Sequence, residues 1–422
     1  MANTLVEKIL MKNTGIKHVE VGDIVISHPD MFMVHDIYTP YLYETLKEME
    51  TEKLDDPDKV TIMFDHCLPT AVAKNDSVHY DAGINLSKKY GIKKVHIGEG
   101  ICHTLMHEYH YAKPGTVVTA TDSHTTTYGG GGCFCTGIGT AEMGAALTTG
   151  ELWFKIPSAI KVILKGKFKK GVYAKDLIET ILGDIRSDGA QYKSIEFTGE
   201  GVKNISMESR YTICNMGLEA GAKCALFPAD EKTAEYFDMD LKDIEWVKPD
   251  EDAKYERTLE YDLGDIQPSL SCPQGVDNVH GIDEVKGKKV QEVYIGSCTN
   301  GSIEDLGVAA NILKNKKIAP YMKLIVVPAS NTIFKQAIEL GYIQTFIEAG
   351  GVISHPSCAL CCGMPYGLLS DDEAILSTAN RNFIGRMGTK KSLIYLGSPA
   401  IAAVTALNGE ISDPREYLEA EA

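Results

Sequence analysis

Short apolar runs alternate with helix-like segments along almost the whole chain, and this pattern restricts the fold more than any other feature. Val60–Phe64, Lys94–Ile97, Thr116–Ala120, Gln291–Ile295, Lys323–Val327 and Ala374–Ser377 read as buried strands. Helical patterning covers Asn331–Leu340, with Gly341 as its expected C-cap, and Pro399–Leu407, followed by Asn408-Gly409. Strands alternating with helices predict an α/β chain with mainly parallel sheets. A length of 422 residues exceeds one ordinary core. Three α/β domains are expected, over 1–156, 157–262 and 263–422. The first break falls at Ile156-Pro157, before the Lys-rich stretch Lys161–Lys170, and the second in the polar stretch Asp262–Pro273. No internal repeat or low-complexity linker interrupts the pattern.

The chemically interesting residues follow these strands. Asp65-His66 follows one run, Gly98–His103 the next and Asp122-Ser123-His124 the third. Cys298 follows Tyr294-Ile295, and Asn380-Arg381 follows the strand near Leu376. In open α/β sheets ligands bind beyond the carboxyl ends of the strands. Polar clusters repeated at such ends imply one shared site.

Charge narrows the partners. A net charge of −16 repels phosphate backbones, so nucleic acid is not expected as a partner. An anionic substrate must then meet a local cluster of positive groups. Arginine supplies the clearest one. Only six of the 42 basic residues are arginines, and Arg381 and Arg386 lie together in one short segment. Their planar forks match a carboxylate bidentately, which lysine cannot do; a surface salt bridge is the plainer use of either alone. No apolar stretch is long enough for a membrane span, and the N-terminus lacks the basic and apolar regions of a secretory signal. A cytoplasmic protein is expected.

In a reducing compartment the eleven cysteines stay thiols, most of them small buried side chains. Two turns stand apart: Gly296-Ser-Cys298-Thr-Asn300-Gly301 and Ser357-Cys358-Ala-Leu-Cys361-Cys362-Gly363. Cys358 and Cys361 have the C-x-x-C spacing that lets two thiolates reach one metal centre. A redox pair fits that spacing too, as does zinc with Cys362 as a fourth thiolate. Adjacent Cys361 and Cys362 rarely both point at one ion. Three thiolates, with Cys298 as the third, would leave a position open on a [4Fe–4S] cluster, as Lewis-acid catalysis requires. The run Gly129–Gly132 is not a dinucleotide fingerprint, because G-x-G-x-x-G between strand and helix is lacking. It reads instead as a close backbone approach beside Asp122–His124.

Together these motifs resemble the aconitase superfamily. The motifs are Phe64-Asp-His66, Gly98-Glu-Gly-Ile-Cys-His103, Thr121-Asp-Ser-His124, Ile213-Cys-Asn-Met-Gly-Leu-Glu219, Ile295-Gly-Ser-Cys-Thr-Asn-Gly301 and Asn380-Arg-Asn-Phe-Ile-Gly-Arg386. The likeness runs from about Leu5 to about Asp413 and is to the large subunits of 3-isopropylmalate dehydratase and homoaconitase within that superfamily. It implies α/β domains around a [4Fe–4S] cluster on Cys298, Cys358 and Cys361, with Asn300 and Asn380 in the cluster's shell. It implies a hydro-lyase that dehydrates and rehydrates a branched 2-hydroxy dicarboxylate, with isopropylmalate in leucine biosynthesis as the leading substrate. Homoaconitate and 2,3-dimethylmalate are the alternatives.

Such a reaction needs a base for a carbon-bound proton, an acid for the leaving hydroxyl and positive groups for carboxylates. The resemblance implies Asp65-His66 for the acid. It pairs His103 with Glu219 and His124 with Asp122 near the bound water. It puts His35, Ser123, Asn215, Arg381 and Arg386 at the substrate. It further implies a separate small subunit that supplies a catalytic serine and part of the substrate site, so the chain alone should be inactive. The loop Ser357–Gly363 departs from the common Gly-Cys-Gly-Pro-Cys-Leu-Gly, and Thr125–Cys135 is also unusual. Two other classes remain open at this point: an RNA-binding regulator, which the acidity opposes, and a zinc-stabilised structural subunit, which metal analysis would separate.

Overall fold

A computed structural model describes residues 2–67, 77–363 and 367–418. Contacts divide the chain into two compact units. The first holds Met1–Gly98, Leu105–Leu164 and Ala190–Glu260; the second holds Glu99–Thr104, Lys165–Gly189 and Tyr261–Ala422. The strands of each larger sheet come from one stretch of sequence, within 31–137, 159–262 or 269–397.

In the first unit a five-stranded sheet runs in the order Lys94–Ile97, Val60–Phe64, Met31–His35, Val117–Ala120, Phe134–Gly137. All its pairings are parallel. Its strands are nearly continuous apolar runs, as a sheet covered on both faces requires. Parallel direction has a direct consequence: His35, Asp65 and Thr121 all leave the sheet at its carboxyl edge. Helices Leu5–Thr14, Thr39–Glu48 and Thr140–Thr149 cover it, burying Leu5, Ile9, Leu42 and Leu147 against Val34, Ile62 and Phe134. A second sheet, in the order Cys224–Leu226, Ser194–Thr198, Ala159–Lys165, Arg257–Asp262, joins its first three strands in parallel. The glycine-rich segment packs on it: Phe227 N–H donates to the Gly129 carbonyl at 3.0 Å. A Cβ on Gly129 would collide with the Ala225 carbonyl oxygen, so close backbone approach is what the run is used for.

In the second unit the strands run in the order Val279–Gly281, Ser269–Ser271, Leu393–Gly397, Ala374–Ser377, Glu292–Ile295, Lys323–Val326, Val352–Ile353. The last five are mutually parallel, and Ser269–Ser271 is antiparallel to both its neighbours. The segments bearing Cys298, Cys358 and Asn380 therefore all leave one edge.

The expected strands lie where the sequence puts them, Val60–Phe64, Lys94–Ile97 and Ala374–Ser377 to the residue. One helix end differs: Asn331–Glu339 closes on Leu340 in αR conformation, and Gly341, at φ 76°, starts the next helix, Tyr342–Ala349. The chain there runs straight into a second helix, so the left-handed residue serves its N-cap.

Helix Ala174–Ile185 is held at its start by the buried Asp176, which accepts the Tyr173 N–H at 2.8 Å and the Ser269 N–H at 3.1 Å. Burial pushes this carboxyl up to about 7. Its unfolded value is about 3.9, so the folded chain holds the proton more tightly between the two. The stability it contributes is fully present below pH ~4 and is lost as pH rises through 7. Asp176→Asn is expected to remove that slope, changing the wild-type-minus-variant unfolding free energy by about 2–4 kcal/mol between pH 5 and 8 in urea melts. Parallel pH profiles for the two proteins would mean the carboxyl is ionised throughout.

Candidate active site

In the first unit two buried histidines stack at the edge of the parallel sheet. The His35 and His66 rings lie 4.3 Å apart at 25°. Asp65, the first residue after Val60–Phe64, bonds His66 Nδ1 at 2.7 Å. Asp36, the first residue after Met31–His35, accepts the backbone N–H groups of His66 at 3.2 Å and Cys67 at 2.6 Å. Burial alone would raise the Asp36 carboxyl, but the His35 and His66 imidazoles beside it hold it well below the usual carboxylate range. It stays ionised and fixes the turn that presents the pair. His35 is buried with neither ring nitrogen hydrogen-bonded among the described residues; Asp36 and Asp122 approach it at 3.8 and 3.5 Å.

The next strand end supplies a second group. Asp122 caps the turn Ser123–Gly131 by accepting the His124 N–H at 2.7 Å. His124 Nε2 meets Glu219 Oε1 at 2.9 Å, and its Nδ1 lies 3.6 Å from Asp122. Glu219, matched with His103 in the sequence reading, thus bonds His124. Asn215, fully buried, donates to Thr127 Oγ1 at 2.8 Å, and Thr127 Oγ1 donates to the His124 carbonyl at 2.5 Å. Ser123 lines a cavity of about 390 Å³ with Tyr38, Asp122, Tyr192 and Lys223, a volume in the range of small-ligand sites.

In the second unit His103 is buried in the helix Cys102–Glu108. Its segment is tied down by Ile101 N–H to the Ala329 carbonyl and Asn331 N–H to the Glu99 carbonyl, both 2.8 Å. The cysteines converge. Asn380 donates its amide to Cys298 Sγ at 3.5 Å and accepts from Cys361 Sγ at 3.3 Å. Thiols from two distant segments therefore share one side chain. Cys361 N–H bonds the Cys358 carbonyl at 3.1 Å, closing the turn between them. Hydrogen bonds from Cys361 and Cys362, together with burial, push the Cys358 thiol well up. Thiols crowded this way become thiolates only with positive charge among them, which a metal centre supplies. The donor set fits a soft metal.

The expected arginines flank this group. Burial opposes the charge of Arg386, but the negative charge of Cys361 and Cys358 as thiolates beside it would hold its ionisation higher. Its Nε has no hydrogen-bond partner among the described residues, and it lines a cavity of about 690 Å³ with Cys362, Phe383 and Ile384. Arg381 lies over the Phe383 ring at 5.7 Å. Asn300 is turned to Asp305, donating at 2.9 Å.

The sequence pattern of the aconitase family (aconitate hydratase) matches residues 7–409. The chain belongs to the aconitase family. Among relatives of this aconitase-family chain, 3-isopropylmalate dehydratase large subunit 1 of Methanopyrus kandleri is 41% identical over 424 residues, covering 99% of this chain and 100% of that protein. The 3-isopropylmalate dehydratase large subunit of Caldicellulosiruptor bescii is 44% identical over 417 residues, covering 98% and 97%. Among solved structures, Thermococcus kodakaraensis aconitase X in its holo-form is 14% identical, with a TM-score of 0.49 over 90% of this chain and 89% of that one. No helix among the described residues of this family member is long and apolar enough to cross a membrane.

Two site-shaping residues escaped the sequence reading of this aconitase-family chain. Asp36 was not singled out, although it holds the His66 turn. Lys175 was passed over: it is fully buried, and its Nζ donates to the Thr378 carbonyl at 3.0 Å and the Ala379 carbonyl at 2.6 Å, next to Asn380. The segment Tyr173-Ala-Lys-Asp176 carries no signal that its lysine points inward.

Proposed function

We propose that this chain is the cluster-bearing large subunit of a [4Fe–4S] hydro-lyase that, with a separate small subunit, isomerises a branched 2-hydroxy dicarboxylate. The substrate we assign is isopropylmalate, in leucine biosynthesis. One observation carries the reading: full-length likeness, above 40% identity, to relatives named 3-isopropylmalate dehydratase large subunits. Cys298, Cys358 and Cys361 hold the cluster, and Asn380 and Asn300 flank it. When bound, the cluster supplies an open iron position that polarises the substrate's hydroxyl and one carboxylate.

The chain's own residues do the rest. With Nδ1 held by Asp65 at 2.7 Å, His66 handles the proton at Nε2, delivering it to the leaving hydroxyl so that water departs. His124, held between Asp122 and Glu219, and His103 orient that water. Arg381 and Arg386 hold substrate carboxylate bidentately, with His35, Ser123 and Asn215 completing the pocket. A serine of the small subunit takes the carbon-bound proton. Rehydration reverses these transfers at the neighbouring carbon.

The test is anaerobic purification with the small subunit, followed by a panel of isopropylmalate, homoaconitate and 2,3-dimethylmalate. We expect about four iron and four sulfide per chain, alkene formation from isopropylmalate, and a rate below about 1% when the chain is assayed alone. Stoichiometric zinc would overturn the cluster, full activity alone would overturn the partner, and preference for another acid would overturn the substrate.

A further inference from the structure

Lys175 sits in the first turn of the helix Ala174–Ile185 with its side chain fully buried. Two physical rules oppose that position. The N-terminus of a helix carries partial positive charge, which repels a cation. An ammonium removed from water also needs a compensating negative charge close by.

The neighbouring carboxyls, Glu179 and Asp305, provide it only in part. Glu179 is fully buried, and neither of its carboxyl oxygens has a hydrogen-bond partner among the described residues. Burial pushes its ionisation well above the usual carboxylate range, with the attraction of Lys175 only partly offsetting it. Asp176 spends its oxygens on the Tyr173 and Ser269 N–H groups. Burial lowers the ionisation of Lys175, and against that stand first Glu179 and then Cys361, Asp305 and Cys298, so two thiol-bearing residues of the cysteine group share the role with two carboxyls. Its ammonium donates to the Thr378 and Ala379 carbonyls at 3.0 and 2.6 Å. The next residue, Asn380, is the one whose amide meets both Cys298 and Cys361. One chain of contacts therefore runs from Lys175 through two carbonyls and one amide to two sulfurs.

We propose that Lys175 is a positioning residue for the iron–sulfur centre: its buried charge balances the negative charge of the cluster and its thiolates, and its ammonium pins the Thr378–Ala379 turn so that Asn380 faces both sulfurs. The inference rests on the cluster assignment in Proposed function. It deepens that assignment by naming a counter-ion that lies outside the thiol-bearing loops. Reduction adds negative charge to such a cluster, and net charge around it sets its potential. A fixed cation nearby therefore favours the reduced form.

The experiment is a redox titration, followed by electron paramagnetic resonance, of the anaerobically reconstituted chain and of three variants. Lys175→Gln is expected to shift the reduction equilibrium at least tenfold toward the oxidised cluster, about 59 mV for a one-electron couple. Lys175→Arg, which keeps the charge, should stay within about threefold of wild type by the same measure. Glu179→Gln should move the potential less than Lys175→Gln does, because that carboxyl makes no hydrogen bond to the Thr378–Ala379 turn. A purely structural role would instead lower the melting temperature of the apo-chain in both lysine variants and leave the potential where it was.

Two results would overturn the proposal: a wild-type potential in Lys175→Gln, or a tenfold shift toward the reduced form in Glu179→Gln, which would make Glu179 the counter-ion. Should Lys175→Gln not fold, the Glu179→Gln and Lys175→Arg potentials decide. A wild-type chain that takes up no iron and sulfide would sink the cluster assignment itself. A wild-type chain that binds the cluster while the variants leave it unmoved would sink only the role of Lys175.

Discussion

Exchanging Cys361 for serine is expected to drop bound iron from about four per chain to below one and turnover by about 10³-fold or more. Cys361 is 2% exposed, so water cannot replace its sulfur from the side. Its Sγ is fixed by Asn380 Oδ1 at 3.3 Å, and the turn from Cys358 closes through its own backbone N–H. Serine would keep the turn and the size. It would lose the soft, readily ionised donor that iron–sulfur chemistry requires. Cys272 is the proper control, being also buried but packed in the hydrophobic core around Leu270 and Val293. Cys272→Ser should keep iron and activity while losing on the order of 1 kcal/mol of stability. Iron and sulfide analysis of anaerobic preparations reads the outcome. A Cys361→Ser chain that still holds about four iron would remove Cys361 from the ligand set.

Much of this was legible because parallel sheets obey local rules. Val60–Phe64 and Lys94–Ile97 announce themselves as apolar runs, and parallel direction sends every following polar residue to one edge. The pairing of Asp65 with His66 needs only adjacency. Cys298 was expected beside Cys358 and Cys361 from the C-x-x-C spacing and the family resemblance, and the structure shows the Asn380 amide meeting Cys298 and Cys361.

The remainder depends on contacts that local patterns do not encode. Glu99–Thr104 follows directly on Lys94–Ile97 yet packs with the second unit, through Ala329–Asn331. Lys165–Gly189 leaves the first unit's run of sequence and joins the second. Lys175 was illegible for a sharper reason: its position contradicts both helix electrostatics and the ordinary exposure of lysine, so any local rule places it on the surface. A residue that breaks local rules inside a satisfied fold marks a demand made elsewhere in the molecule.

The two carboxylates that bracket His66 separate rate from stability. Asp65→Asn is expected to lower kcat by about 10³–10⁴-fold, with KM within about threefold of wild type, because the carboxylate fixes the tautomer and orientation of the imidazole. The geometry is specific: Asp65 is fully buried and its Oδ1 lies 2.7 Å from His66 Nδ1. An asparagine there can offer its NH₂ to Nδ1, which holds the ring neutral and removes the negative charge that stabilises the doubly protonated imidazolium acid. Asp36 touches the same ring at 3.5 Å but spends its oxygens on the His66 and Cys67 backbone N–H groups. Asp36→Asn should therefore cost stability, about 1–3 kcal/mol, since buried N–H groups lose a charged acceptor. Its kcat should fall less than that of Asp65→Asn. The pair is read by steady-state kinetics of the complex with its small subunit, alongside urea melts and iron content of the large subunit. Equal losses of kcat in both variants, or a fall in iron content with Asp65→Asn, would move Asp65 out of proton transfer and into holding the site together.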